Sequence, residues 1–146
     1  MKKIAMIVNF DKANALTVAN SLIKLLANKA LIYCPAEDAK LLPDAIATDE
    51  KTLFSTCKVV AVLGGDETII AAAKKCAPFK NILVGINTGN LGYLSTIESS
   101  NLENAAELLC SDDMHYDDRY MLCAKVYSLL TAGCYNNVVV ITTCIE

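Results

Sequence analysis

A chain of 146 residues, 54% hydrophobic and only 20% charged, can bury one substantial core and is too apolar to be disordered. Its formal charge of −3 and sequence pI near 5.1 give no basic surplus for gripping a phosphate backbone, which argues against nucleic acid as a partner and requires any phosphate to be bound locally. Seven cysteines, at 34, 57, 76, 110, 123, 134 and 144, contain no Cys-x-x-Cys pair, so they read as buried free thiols of a reducing cytosol rather than a metal site or a disulfide framework.

The opening Met1-Lys2-Lys3 is basic, but the apolar stretch from Ile4 to Val8 is too short for the core of a signal peptide. No run approaches the length that spans a bilayer, so the expectation is a soluble, cytoplasmic protein with no membrane partner. Lys3 to Val8 predicts a first buried strand. Asp11 to Asn28 predicts a helix, with Ala15, Leu16, Ala19, Leu22, Ile23, Leu25 and Leu26 at helical spacing. Leu31 to Cys34 reads as a second strand stopped by Pro35. From Ala36 to Cys57 the pattern weakens, and helix plus loop is expected there, with a break at Pro43.

Val59 to Leu63 is a continuous apolar run, as a central strand buried on both faces should be, and it stops at Gly64-Gly65. A helix is predicted from about Glu67 to Cys76, then a strand from Asn81 to Ile86, a glycine-bearing loop from Asn87 to Tyr93, and a helix from Asn101 to Cys110. Alternation of this kind predicts an α/β, Rossmann-like parallel sheet with helices on both faces, over residues 1–111. The acidic stretch 112–118 reads as a solvated linker, and its His115, the only histidine in the chain, as a surface residue. Tyr120 to Leu130 and Cys134 to Ile145, joined by Thr131-Ala132-Gly133, predict a hairpin that begins an all-β domain over 119–146, incomplete as two strands must be. Uncovered apolar faces on that hairpin predict a homo-oligomer.

The strongest local signal is Leu63-Gly64-Gly65-Asp66-Glu67-Thr68, where a buried strand hands over to a helix. Glycines there let backbone amides approach phosphate oxygens, the helix N-terminus adds partial positive charge, and Asp66 stands by as a base or hydroxyl-positioning group. An ordinary strand-to-helix turn with Asp66 as its cap has the same spacing. The residues Gly64-Gly65-Asp66-Glu67-Thr68 resemble the Gly-Gly-Asp-Gly-Thr signature of NAD kinases, of diacylglycerol and sphingosine kinases and, in related form, of 6-phosphofructokinases. Gly85-Ile86-Asn87-Thr88-Gly89-Asn90-Leu91-Gly92-Tyr93-Leu94 resembles the second NAD kinase signature, Gly-Ile-Asn-x-Gly-x-Leu-Gly-Phe-Leu, which the lipid kinases lack. Arg119-Tyr120-Met121-Leu122 and Tyr135-Asn136-Asn137-Val138-Val139 resemble the family's Arg-x-x-Leu and Leu-Asn-Glu-Val-Val, in the same order.

The resemblance implies an NAD kinase, N-terminal half, that moves a phosphoryl group from ATP or polyphosphate, with Mg²⁺, to the 2′-hydroxyl of the NAD adenosine. It implies Asp66 as the catalytic base. Gly64, Gly65, Glu67 and Thr68 would border the phosphates. Asn87, Leu91, Gly92 and Tyr93 would form the neighbouring pocket with the Tyr93 ring packed on the dinucleotide, and Asn136 and Asn137 would contact NAD. Glu67 replaces the family's glycine, and Asn137 its usual Glu or Asp. A nucleotide-binding fragment without turnover is the alternative. A lipid-kinase relative is disfavoured by the second motif and by the lack of a basic membrane-facing patch.

Overall fold

A computed structural model describes residues 1–89, 92–123 and 140–143. The chain divides into two compact units, Met1–Met114 and His115–Glu146.

In the first unit, strands β1 (Lys2–Val8), β2 (Ala30–Pro35), β3 (Ile46–Thr48), β4 (Val59–Gly64), β5 (Ile82–Asn87) and β6 (Ile97–Glu98) form one sheet in the order β3-β2-β1-β4-β5-β6. Every pairing is parallel. Helices α1 (Ala15–Leu26), α2 (Glu50–Thr56), α3 (Asp66–Cys76) and α4 (Leu102–Cys110) cover it.

The period of a strand decides what each face buries. Along β1, Ile4, Met6 and Val8 join Ala61 and Leu63 of β4 in a core closed by Leu22, Leu26, Ala105 and Leu109 of α1 and α4. Ala5, Val60 and Val62 point the other way, into a second core closed by Leu53 and Phe54 of α2 and Ile69 and Ala72 of α3. β4 is buried at all six positions because it serves both cores, which is why its sequence is an unbroken apolar run. Each fully buried Leu or Ile contributes about 1.5–3 kcal/mol of transfer free energy to this arrangement.

Three details differ from the expectations. The first helix starts at Ala15 rather than Asp11, because residues 11–14 turn on a bond from the Asp11 backbone N–H to Asn9 Oδ1 (3.1 Å). The stretch 36–57 holds a 3-10 turn at Ala36–Asp38 and then edge strand β3 before α2, whose N-cap Asp49 accepts the Thr52 backbone N–H at 3.0 Å. β6, only two residues long, falls where no strand was expected. In the second unit β7 (Tyr120–Cys123) pairs antiparallel with β8 (Val140–Thr143), Tyr120 opposite Thr143, while the expected turn at Thr131 to Gly133 lies outside the described residues.

Candidate functional site

The sheet order places β1 and β4 side by side with the connections leaving in opposite directions, so a crevice opens beyond their carboxyl ends. Gly64 ends β4 and Gly65, extended at φ −108° and ψ −171°, is the N-cap of α3. Asp66 and Glu67 form the first acidic turn and Lys74 and Lys75 the last basic one, a charge order that suits the helix dipole.

Asp66 does not cap its own helix. Its Oδ2 accepts the Tyr93 backbone N–H and its Oδ1 the Leu94 backbone N–H, both at 3.0 Å, across 27 and 28 residues. One carboxylate thereby joins the two glycine-bearing motifs. A carboxylate offers about four lone-pair directions, so two remain for another donor.

The glycines are there for room. No described glycine has positive φ. A Cβ on Gly92 would stand 2.3 Å from Asp66 Oδ1, and one on Gly64 would stand 2.6 Å from Thr68 Cβ. On Gly85 it would meet the Ser95 Cα at 3.1 Å and the Leu94 carbonyl oxygen at 3.2 Å, so this glycine lets residues 94 and 95 lie against β5, in the segment whose Leu94 amide reaches Asp66. Gly65 differs: among the described residues, its two chain neighbours aside, a Cβ there would meet nothing within 4 Å. That open position precedes Asp66 at the start of α3.

Asn87 is 5% exposed and ends β5; its Oδ1 accepts the Gly89 backbone N–H (2.9 Å) and its carbonyl the Ser99 N–H (3.1 Å), so it shapes the second loop. Thr68 is half-buried and its Oγ1 accepts from Asn9 Nδ2 at 3.2 Å. The exposed Glu67 side chain stands next to Asp66 in sequence on the first turn of α3. Tyr93 presents its ring to solvent, 98% exposed, and only its backbone N–H engages Asp66. Leu91, Asn136 and Asn137 lie outside the described residues.

Two further polar residues near this crevice are given no role by the sequence reading. Asn9 follows β1 and holds the β1 loop to α3 through Thr68; as the first polar residue after an apolar strand, it could have been found from the sequence once β1 was known to adjoin β4. Thr88, 6% exposed, donates its backbone N–H to the Gly64 carbonyl (3.3 Å), and its hydroxyl has no hydrogen-bond partner among the described residues. A groove of about 480 Å³ between α1 and α4, lined by Lys24, Leu25, Ser99 and Leu102 among others, includes none of the motif residues.

Among the described residues no helix is long and apolar enough to cross a membrane. Cys34, Cys57 and Cys76 are buried free thiols and Cys110 is half-buried. Burial pushes the Cys57 thiol up to about 11, against a smaller opposite pull from Lys3, and Cys76 up to about 12, with Glu50 adding to the rise.

The sequence matches the ATP-NAD kinase N-terminal domain over residues 4–114. It is 30% identical over 128 residues to the NAD kinase of Ruminiclostridium cellulolyticum, covering 87% of this chain and 45% of that protein. It is 31% identical over 128 residues to the NAD kinase of Symbiobacterium thermophilum, covering 86% and 45%. The chain thus spans about half the length of the curated relatives it matches. The fold is similar to part of yeast NADH kinase, solved in complex with NADH, with a TM-score of 0.63 at 12% identity over 75% of this chain and 36% of that one. A domain match that runs through both glycine motifs and every element of the six-stranded sheet settles the lineage: the chain belongs to the NAD kinase family, whose N-terminal domain it carries.

Proposed function

We propose that this chain supplies the N-terminal half of a cytoplasmic phosphotransferase that moves a phosphoryl group from ATP or polyphosphate to the 2′-hydroxyl of the NAD adenosine. The observation that carries this reading is the Asp66 carboxylate, held by the amides of Tyr93 and Leu94 while keeping lone pairs for a substrate hydroxyl. Fixed in this way, it orients the hydroxyl and accepts its proton as the oxygen attacks phosphorus. Phosphoryl transfer needs little covalent help from the protein, so positioning and charge neutralisation supply most of the rate.

Open space at Gly65 admits a phosphate close to the backbone at the start of α3. Tyr93, its ring free of the protein, is available to pack on the dinucleotide, and Leu91, Asn136 and Asn137 are assigned to the same substrate on the resemblance alone. Among the described residues no three acidic, cysteine or histidine groups gather as a metal cage. That donor set suits Mg²⁺ arriving on the substrate phosphates and touching one or two carboxylates, Asp66 and Glu67 being the candidates. When bound, Mg²⁺ would neutralise phosphate charge. Homo-oligomer formation through the 119–146 region belongs to the same proposal.

Glu67 favours a second reading, in which the chain binds nucleotide without turnover. An exposed carboxylate at the family's glycine position opposes a polyphosphate by charge. Phosphate transfer from ATP to NAD by the purified 146-residue chain, with Asp66→Asn as matched control, decides between them. Turnover that falls by roughly 10²–10⁴ in the control supports the kinase. Binding of NAD or ATP without turnover supports the second reading, and binding of neither overturns both.

A further inference from the structure

Three segments leave the carboxyl ends of the strands beside the crevice: residues 9–14 after β1, 64–66 after β4 and, after β5, a loop of which residues 88–89 and 92–96 are described. Their sequences contain one basic residue, Lys12, against the carboxylates of Asp11 and Asp66 and, one residue further on, Glu67. Lys12 sits in a braced turn. Its backbone N–H donates to the Asn9 carbonyl at 3.3 Å and its own carbonyl accepts the Ala15 N–H at 3.0 Å. Asn9 is itself tied to Thr68 of α3.

The Lys12 side chain reaches across to the third loop. Its Cδ and Cε lie 3.7 and 3.9 Å from the point where a Cβ on Gly89 would stand. Since β4 lies between β1 and β5, a contact from the loop after β1 to the loop after β5 passes the end of the strand that finishes at Gly64. Lys12 is exposed, and among the described residues its ammonium makes no ion pair. A side chain laid over a glycine on a neighbouring loop brings a cation to the mouth of the crevice, where the protein's own charges are negative.

We propose that Lys12 binds a phosphate group of the nucleotide substrate at this point, offsetting the negative charge of Asp66 and Glu67. The proposal rests on the nucleotide-binding reading given above. A lysine suits this task because its compact ammonium is a point charge on a flexible stem that can follow a phosphate. The phosphate could belong to ATP or to the dinucleotide, and the two are separated by titration.

The test is calorimetric titration of the 146-residue chain, and of its Lys12→Met and Lys12→Arg variants, with ATP, with NAD and with inorganic tripolyphosphate. Lys12→Met keeps the stem and removes the charge. The expected result is a Kd ten- to a hundredfold higher in Lys12→Met, mostly restored in Lys12→Arg, for whichever ligand's phosphate is held. A loss confined to ATP assigns the phosphate to the donor, and one confined to NAD assigns it to the acceptor. Lys12-dependent binding of tripolyphosphate alone keeps the anion site while removing the nucleotide reading. Equal affinity of wild type and Lys12→Met for all three ligands, or no binding of any, overturns the proposal.

Discussion

The two ends of the β4–β5 pair are tied by the same device and put to different uses. At the amino end, Asn81 donates its Nδ2 to the carbonyls of Phe54 (2.9 Å) and Cys57 (2.6 Å), fastening the end of α2 to the start of β5. At the carboxyl end, Asp66 accepts two backbone amides and fastens the start of α3 to the loop after β5. Asn81 uses both of its amide hydrogens on the protein and its Oδ1 is buried with no partner among the described residues, whereas Asp66 is only partly buried and keeps one side of each carboxylate oxygen for another donor. Equal bonding to the backbone therefore does not make two polar residues equivalent. What each can still offer to a ligand separates the structural residue from the one proposed above for catalysis.

Breaking each tie should separate the two roles, and the largest effect is expected at Asp66. On the proposed function, Asp66→Asn should lower phosphate transfer by roughly 10²–10⁴, as removal of a general base does, while costing about 1–2 kcal/mol of stability. Asn81→Ala should do the reverse. The carbonyls of two buried residues lose their partner, for about 2–3 kcal/mol in all, less what is regained by removing the unpartnered Oδ1, with nucleotide affinity unchanged. Parallel thermal melts and NAD titrations check the pair; an Asn81→Ala protein with lost affinity and an unchanged melting temperature would erase the distinction.

The glycines sharpen it further. Gly64→Ala and Gly92→Ala press a methyl group onto Thr68 and Asp66 and should each cost about 1–3 kcal/mol, Gly92→Ala also by evicting the Asp66 carboxylate from its amides. Gly65→Ala meets no atom of the described residues within 4 Å beyond its chain neighbours, and its extended backbone suits alanine, so the melting temperature should hold while nucleotide affinity falls. Equal destabilisation at Gly64 and Gly65 would mean that the space at Gly65 is not kept for a ligand.

Much of this fold is legible in the sequence because burial writes itself into it. β1, β4 and β5 face two cores and read as apolar runs, and α1 and α4 show one buried stripe. β3 escapes notice since Ile46 and Ala47 lie exposed at the sheet edge, and α2 because only Leu53 and Phe54 of its seven residues are buried. The candidate site divides likewise. Both glycine motifs stand out as contiguous letters, but the Asp66 bond to residues 93 and 94 and the reach of Lys12 to Gly89 join distant segments and exist only once the sheet order is known.

A smaller effect is expected from alkali. Cys57 and Cys76 hold their protons in the folded state to about 11 and 12, above an ordinary thiol near 9.0, chiefly because burial penalises the thiolate. Between those limits the folded chain binds more protons than the unfolded one. Stability is therefore full below pH 9 and declines as pH rises toward 11–12. Denaturant midpoints measured from pH 8 to 10.5 should fall, and Cys76→Ala should flatten part of that slope at some packing cost. Native-state thiol labelling at pH 8 should mark Cys110 well before either. Rapid labelling of Cys76 with the fold intact would contradict the burial argument.

The smallest effect lies at Lys80, at the amino end of the sheet beside Asn81. It takes φ 56° and ψ 40°, the left-handed region, as the residue that closes the 3-10 turn Ala77–Phe79. A side chain there carries a strain of roughly 1 kcal/mol that glycine does not, partly offset by the extra freedom glycine gains when unfolded. Lys80→Gly should therefore raise stability by a few tenths of a kcal/mol to about 1 kcal/mol, and Lys80→Val, β-branched, should lower it. Nucleotide affinity should not change in either variant, because residue 80 stands at the opposite end of β5 from the crevice. A shift in affinity at this position would show that the amino end of the sheet communicates with the carboxyl end, and that tightening one tie alters what the other offers.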